Sequence, residues 1–521
     1  MTRLRRFTGL VVGAIVLGHL YLTGSLRPSP EAALEPRPPR AIREAAPFRF
    51  REQSAALGLN FEHHLYYPNP QSGSYLPLMA LPPSVAVADI DDDGYYDLYV
   101  TQPDPRLPNK LFHNLQGRGF EEIASQVGLD KHASDPDSVA LFIDLDHDGL
   151  VDLVQSRFGC LFGSPERFDA DKRVSLAAGS PFGHAQAVGI SDIDKNGFPD
   201  IYVASDYSYD ALYMNGDGRT FTDGTEAWTP RREHGFSGMN VDFADFDNTG
   251  ELGIFVLQMH IPPFVQTGNL LWKREGDRFR NVAAERGVKK CGWAWTGKFA
   301  DFDNSGSLDL FVVNGKARGS RATSPRDGYK SFAFVRNTIS TLPLQLRWDI
   351  GLYPPFDSFT MSGFQPSCFF WNHDGHFSDV AHEVGIDDLE EGQAAALIDF
   401  DNDGRTDIVV GNMGKRLLFY HNLTPNPGHF VGVLPVWGAH PQPAYGARLT
   451  LYRSDGKTPL RELFPANGYR GQSDPRVHFG LGAATEVPRL EVTWPDGTRE
   501  IFEHLAVDRY QPIVFGTGRA P

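Results

Sequence analysis

The chain has 521 residues and a formal charge of −16, from 49 Lys and Arg against 65 Asp and Glu. A content of 41% hydrophobic and 12% aromatic residues is enough for a core and excludes global disorder, while the acidic balance argues against nucleic acid or an anionic membrane as general partner. Three cysteines, Cys160, Cys291 and Cys368, are too few and too dispersed for a disulfide framework or a paired-cysteine metal site and leave room for one bridge at most.

Arg3, Arg5 and Arg6 precede an apolar run from Phe7 to Gly24. A basic segment followed by an apolar stretch reads as an export signal or an uncleaved anchor, with the body of the protein outside the cytoplasm. Leu22-Thr23-Gly24 is a poor cleavage site, which favours the anchor over residues 1–26. Residues 27–47 carry six prolines from Pro28 to Pro47 and form an extended, semi-rigid linker.

An internal repeat dominates the chain from Asp89 to Asp407. The pattern Asp-x-Asp-x-Asp-Gly-x-x-Asp occurs in full at Asp89, Asp91, Asp93, Asp97; at Asp144, Asp146, Asp148, Asp152; and at Asp399, Asp401, Asp403, Asp407. Looser copies use Asp192, Asp194, Asn196, Asp200 and Asp301, Asp303, Ser305, Asp309, and the weakest keeps only Asp245 and Asp247, with Thr249 and Gly253 replacing later acids. The first aspartates are spaced by 55, 48, 53, 56 and 98 residues, the last being about two periods. Each loop joins two β-type runs, and a second hairpin follows, as in Lys110-Leu-Phe-His-Asn with Phe120 or Cys368-Phe-Phe-Trp-Asn with Phe377. Four strands per fifty residues predict an all-β fold, a β-propeller over residues 48–424. Seven blades are favoured if Ala317 to Gln365 holds a degenerate one; six remain if that stretch is an insertion in the fifth. Phe48 to Leu59 copies the closing strand of a unit and is expected to complete the last blade.

Carboxylates at positions 1, 3, 5 and 9 of a tight turn repel one another unless a cation neutralises them. Oxygen-only ligands on a flexible loop suit Ca²⁺ better than Zn²⁺, Cu²⁺ or Mg²⁺. Val100, Gln155 and Val410 stand where an EF-hand needs its twelfth-position glutamate, and the flanks are strands, so these are not EF-hands. The alternative is a series of solvated Asp-Gly turns. The six loops hold 22 carboxylates, and six divalent ions would move the formal charge from −16 to −4. A surface so neutralised no longer excludes acidic glycans, although nucleic acid stays excluded.

Residues 425–521 alternate short apolar runs with turns such as Ser454-Asp455-Gly456 and Pro495-Asp496-Gly497, the pattern of a small β-sandwich or barrel. The nine-residue hairpins resemble the FG-GAP/VCBS repeats of integrin α-subunits and many secreted bacterial proteins. The series Tyr445-Gly446-Ala447-Arg448, Gly468-Tyr469, His478-Phe479-Gly480-Leu481-Gly482 and Trp494-Pro495-Asp496-Gly497 is similar to the ASPIC/UnbV module. Together they resemble the cartilage acidic protein-like family. That resemblance implies Ca²⁺ on the aspartates named above, with a structural role, and no defined activity.

No G-x-S-x-G, H-E-x-x-H or G-x-G-x-x-G motif is present, and Gly292 to Lys298 has P-loop spacing but is followed by Phe299 instead of Ser or Thr. His63-His64 with Tyr66-Tyr67, the pair Trp293 and Trp295, and the set Arg448, Arg461, Glu462, His478, Trp494 are each read as framework before ligand site. The expected function is an exported, Ca²⁺-stabilised binding or adhesion module for an extracellular or envelope protein or a glycan. The alternatives are a propeller lyase or hydrolase with a site in the central channel, and a structural partner of an envelope enzyme.

Overall fold

A computed structural model describes residues 47–65, 81–130, 139–143, 151–155, 159–161, 185–260 (without 207, 218 and 236), 267–318, 360–361, 364–437 and 442–521. The N-terminal segment, the linker, Tyr66, Tyr67, Asp144, Asp146 and Asp148 lie outside the described residues. No helix among the described residues is long and apolar enough to cross a membrane.

Hydrophobic runs flanking the Asp loops pair as hairpins because their register leaves β-branched and aromatic side chains buried on both faces, as in Gly253–Gln258 and Asp309–Asn314. Among the described residues, six antiparallel sheets of propeller type result. The first joins Val85–Ala88, Asp97–Val100, Lys110–Asn114 and Phe120–Glu122. In the second, Ala140–Ile143, Asp152–Gln155 and Gly159–Leu161 are described. The third runs from Ala185–Ser191 to Phe221–Asp223 and the fourth from Gly238–Ala244 to Arg278–Asn281. In the fifth, Ala294–Ala300 and Asp309–Asn314 are followed, after an insertion, by Cys368–His373 and His376–Asp379. The sixth takes Gly392–Ile398, Asp407–Asn412 and Leu418–Asn422, and its outer strand is Phe50–Glu52 from the other end of the repeat region.

Residues 315–367 therefore lie between the second and third strands of the fifth sheet, closed by a Cys291–Cys368 disulfide. The sequence favours seven blades; the described residues contain six sheets of this type and no seventh. Apolar clusters fill the spaces between adjacent sheets, with Phe246, Phe302 and Phe400, each the second residue of an Asp loop, all buried there.

The C-terminal part is a sandwich of two sheets. One centres on His429–Trp437, paired with Val477–Gly482 and in parallel with Tyr510–Val514; the other joins Leu460–Glu462, Arg448–Tyr452, Arg489–Thr493 and Arg499–Phe502. Strict alternation along Arg448–Tyr452 buries Leu449 and Leu451 against Val431, Val433, Phe479 and Trp494. Between its strands, the segment 467–474 runs into the propeller axis. Gly471–Gln472 adds in parallel to Val85–Ala88. The Gln472 side chain pairs with the Phe142 backbone, and Asn467 does the same with Ile190. Asn240, Thr296 and Leu397 bond to Tyr469, Tyr469 and Ser473 respectively. The inner strands of all six described sheets thus contact one eight-residue stretch.

Candidate metal centres and the loop face

Five described loops share one backbone path. The fourth residue of each is left-handed, at Asp92, Lys195, Asn248, Asn304 and Asn402 (φ 55 to 65°), and the glycine at position 6 has φ from 77 to 92°. Two left-handed residues so close together explain the Gly and the preference for Asn or Asp before it. This path points backbone N–H groups at the first aspartate. Asp89 accepts from Asp93 and Gly94 N–H at 3.2 and 2.9 Å, Asp192 from Asn196 and Gly197 at 3.0 and 3.1 Å, and Asp399 from Asp403 and Gly404 at 3.1 and 2.7 Å.

The ninth aspartate has a different task. Asp97, Asp200, Asp309 and Asp407 each accept from the backbone N–H of an asparagine at or next to the end of the third strand, Asn114, Asn215, Asn372 and Asn422, at 2.6 to 2.9 Å. Three of those asparagines reach on to the preceding blade: Asn114 donates to Phe400 O, Asn372 to Phe246 O and Asn422 to Phe302 O. A second girdle uses the fourth loop residue, Asn248 donating to Gly306 O, Asn304 to Gly404 O and Asn402 to Gly94 O. The sequence reading missed both sets of asparagines, although Asn114, Asn215, Asn372 and Asn422 recur in the second hairpin and Asn248, Asn304 and Asn402 share the fourth loop position. Asn422, which begins an Asn-x-Thr sequence, is buried and fully occupied in this way.

Asp89, Asp91 and Asp93 bring carboxylate oxygens within 4.8 Å of one another, as do Asp192, Asp194 and Asp200, and Asp399, Asp401 and Asp407. Two further groups add a histidine: Asp91, Asp97 and His113, and Asp401, Asp403 and His421. Burial, reinforced by the neighbouring carboxylates, pushes Asp89 and Asp200 up to about 6 and Asp97 and Asp399 up to about 7, and holds Asp301, Asp309 and Asp407 well above the usual range. Asp301 Oδ1, Asp309 Oδ2 and Asp401 Oδ1 are buried without a hydrogen-bond partner. Crowded, buried oxygens lacking donors fit a hard divalent cation, so the chemistry of the donor set suits Ca²⁺. Asp301, Asp303 and Asp309 do not close to the same distance among the described residues. Asp152 is buried, but its three loop partners lie outside the described residues.

The fourth loop departs from the others. The Lys273 ammonium pairs with Asp247, and Leu460 N–H bonds Asp245 Oδ2 at 2.9 Å, so protein groups stand where a cation would.

The sandwich covers this same loop face. Arg448 bonds Asp192 O and Oδ2 at 3.0 and 3.2 Å, Ser191 Oγ donates to Glu462, Tyr510 OH donates to Asp399 Oδ2 at 2.9 Å, and His478 Nε2 meets Asn304 Oδ1 at 2.6 Å. Burial pushes Glu462 up to about 7 and His478 down to about 3. A cavity of about 190 Å³ remains between the two parts, edged by Asp242, Lys298, Arg461 and Arg476. Of the five C-terminal residues singled out in sequence, four meet the propeller or the rim of this cavity, while Trp494 is core. His63 is buried, and Trp293 and Trp295 are stacked and buried.

Comparison with known proteins matches residues 192–256 to the FG-GAP-like repeat, 392–417 to the FG-GAP repeat, and 438–519 to ASPIC and UnbV. The chain is 24% identical over 460 residues to cartilage acidic protein 1 of Xenopus tropicalis, covering 80% of this chain and 62% of that one. It is 26% identical over 335 residues to the Mus musculus protein, covering 62% and 44%. It thus spans about two fifths to three fifths of the length of these relatives. Among solved structures, it is similar to the BP39L lectin from Burkholderia pseudomallei (12% identity, TM-score 0.30, covering 65% of this chain and 80% of that one) and to the V. cholerae biofilm matrix protein Bap1 (11%, 0.22, 85% and 62%). The chain thus carries FG-GAP repeats in a propeller-like fold, followed by an ASPIC and UnbV domain.

Proposed function

We propose that this chain is an exported Ca²⁺-binding module whose propeller binds an extracellular or envelope protein or a glycan. The observation that carries the reading is the repeated crowding of loop carboxylates, whose oxygens come within 4.8 Å of one another, as at Asp192, Asp194 and Asp200. Ions at these loops stabilise the blades and do no chemistry. Export is supported by the basic-then-apolar N-terminus and by the Cys291–Cys368 bridge, since disulfides persist in oxidising compartments. The sandwich occupies the loop face, so the partner is assigned to the opposite face, from which the 315–367 insertion departs. A lyase or hydrolase in the central channel is the weaker reading, because residues 467–474 already bond the inner strands there.

Melting the full chain in EGTA and after adding back Ca²⁺ tests the ion. A ligand at one hundred times its Kd adds about 2.7 kcal/mol per site. The expected result is a melting temperature several degrees higher with millimolar Ca²⁺ than with Mg²⁺; identical curves in EGTA and Ca²⁺ would defeat the proposal.

A further inference from the structure

Strand register places an equivalent residue beside each loop. In the five fully described hairpins, Phe112, Tyr213, Trp272, Phe370 and Tyr420 pair with the residue after the ninth loop position. The next residues are His113, Met214, Lys273, Trp371 and His421. In the fourth sheet this side chain demonstrably reaches the loop, because the Lys273 ammonium pairs with Asp247.

The two histidines reach their loops in the same way. His113 Nδ1 lies 3.1 Å from Asp97 Oδ1 and 3.8 Å from Asp91 Oδ2. His421 Nε2 lies 3.6 Å from Asp401 Oδ2 and, like Asp401 Oδ1, is buried with no hydrogen-bond partner. His421 Nδ1 sits 2.9 Å from Gln53 Oε1, an amide oxygen that only accepts, so the ring proton belongs on Nδ1 and a lone pair on Nε2 faces the carboxylate. A lone pair against a carboxylate is repulsive unless a cation, a proton or a metal ion, lies between them. Holding the far ring nitrogen by an acceptor is also how proteins orient a ligating imidazole.

Loop charge varies with this residue. The lysine loop retains two of its four aspartates, whereas both histidine loops retain all four.

We infer that the first and sixth loops hold mixed nitrogen–oxygen sites for a divalent transition ion of the Zn²⁺ class, through His113 with Asp91 and Asp97, and His421 with Asp401 and Asp403. This rests on reading the loops as cation sites and differs from it in the ion, since imidazole suits Zn²⁺ and its neighbours whereas Ca²⁺ takes oxygen. Arg405 also pairs with Asp403 and must share or release it. The two sites are adjacent, linked by the Asn402–Gly94 bond.

Co²⁺ serves as a visible probe for Zn²⁺. The chelator-treated full chain, and its His113→Gln, His421→Gln and double variants, are titrated with Co²⁺, read by the d–d absorption band and by melting temperature. Each single variant is expected to lose about half the band, with at least tenfold weaker binding at the altered site; the double variant loses the band, Zn²⁺ displaces Co²⁺, and the Ca²⁺ rise in melting temperature persists. A double variant that binds Co²⁺ like the parent, or complete displacement of Co²⁺ by equimolar Ca²⁺, would overturn the inference and leave the histidines as counter-ions like Lys273. If Ca²⁺ fails to stabilise any form while histidine-dependent Co²⁺ binding remains, the Ca²⁺ reading falls and this one stands. Should the double variant not fold, the two single variants decide, since neither then losing band intensity overturns it.

Discussion

His63 has both ring nitrogens committed. Nε2 sits 3.0 Å from Leu81 O and donates to it, while Nδ1 accepts the Gly414 N–H at 2.8 Å. Protonating Nδ1 would set a donor against a donor inside a site that is 1% exposed. Burial, with His64 and Arg470 adding to it, lowers this imidazole from 6.5 to about 4. The folded state therefore binds fewer protons than the unfolded chain below pH 6.5. Its stability falls as pH drops from about 6.5 towards 4 and levels off below, by about 3 kcal/mol for the group when fully expressed. Carboxylates titrate over part of the same window, so the informative quantity is a difference. Denaturant midpoints of the parent and His63→Gln, taken between pH 7 and 4.5, should converge as pH falls; parallel profiles would remove His63 from the acid response.

The fifth blade shows an element stretched by insertion and held together again. Its second and third strands are separated by 315–367, yet Val312 and Cys368 still pair in register, and Cys368 is bridged to Cys291 just before the first strand. Closing a 77-residue separation restricts the unfolded chain, worth about 2–4 kcal/mol in typical cases. Reduction, or the Cys291→Ser and Cys368→Ser pair, should lower the propeller melting temperature by several degrees, and an unchanged melt under reductant would show that strand pairing alone suffices. Much of this element was legible in sequence. Phe369, Phe370 and Phe377 announced a hairpin by pattern, and the Asp301 to Asp309 loop with Gly306 fixed the hairpin before it. The bridge was not, because three cysteines permit three pairings and only the fold brings two of them to a Cα separation of 6.2 Å. The histidine ligands were hidden for a like reason: His113 and His421 lie sixteen and fourteen residues beyond Asp97 and Asp407, the last aspartates of their loops, across a strand pair whose register must first be known.

For the whole molecule, the decisive feature is the axial segment, which no repeat pattern foretold because its partners lie up to hundreds of residues away. It turns two separate-looking sequence units into one body: the propeller supplies the six described inner strands, and the sandwich supplies the chain that they surround. Lys298, whose P-loop-like spacing proved incidental, shows the cost of that arrangement. Buried beside Asp242, which opposes the burial that lowers its pKa, it donates to Asn467 O and Gly471 O. Gly471 tests whether the seating is required. A Cβ there would stand 1.9 Å from Ala395 O, a backbone atom that cannot swing aside, whereas at Gly216 the nearest atom, on Thr220, is 4.0 Å away. Overpacking of this kind costs about 1–3 kcal/mol, and here it can be relieved only by withdrawing the segment or opening the ring. Gly471→Ala should therefore melt earlier and release the sandwich to limited proteolysis, while Gly216→Ala behaves as the parent. If both variants resist protease equally, the segment is a passenger in the axis, and the central channel regains its claim as a site.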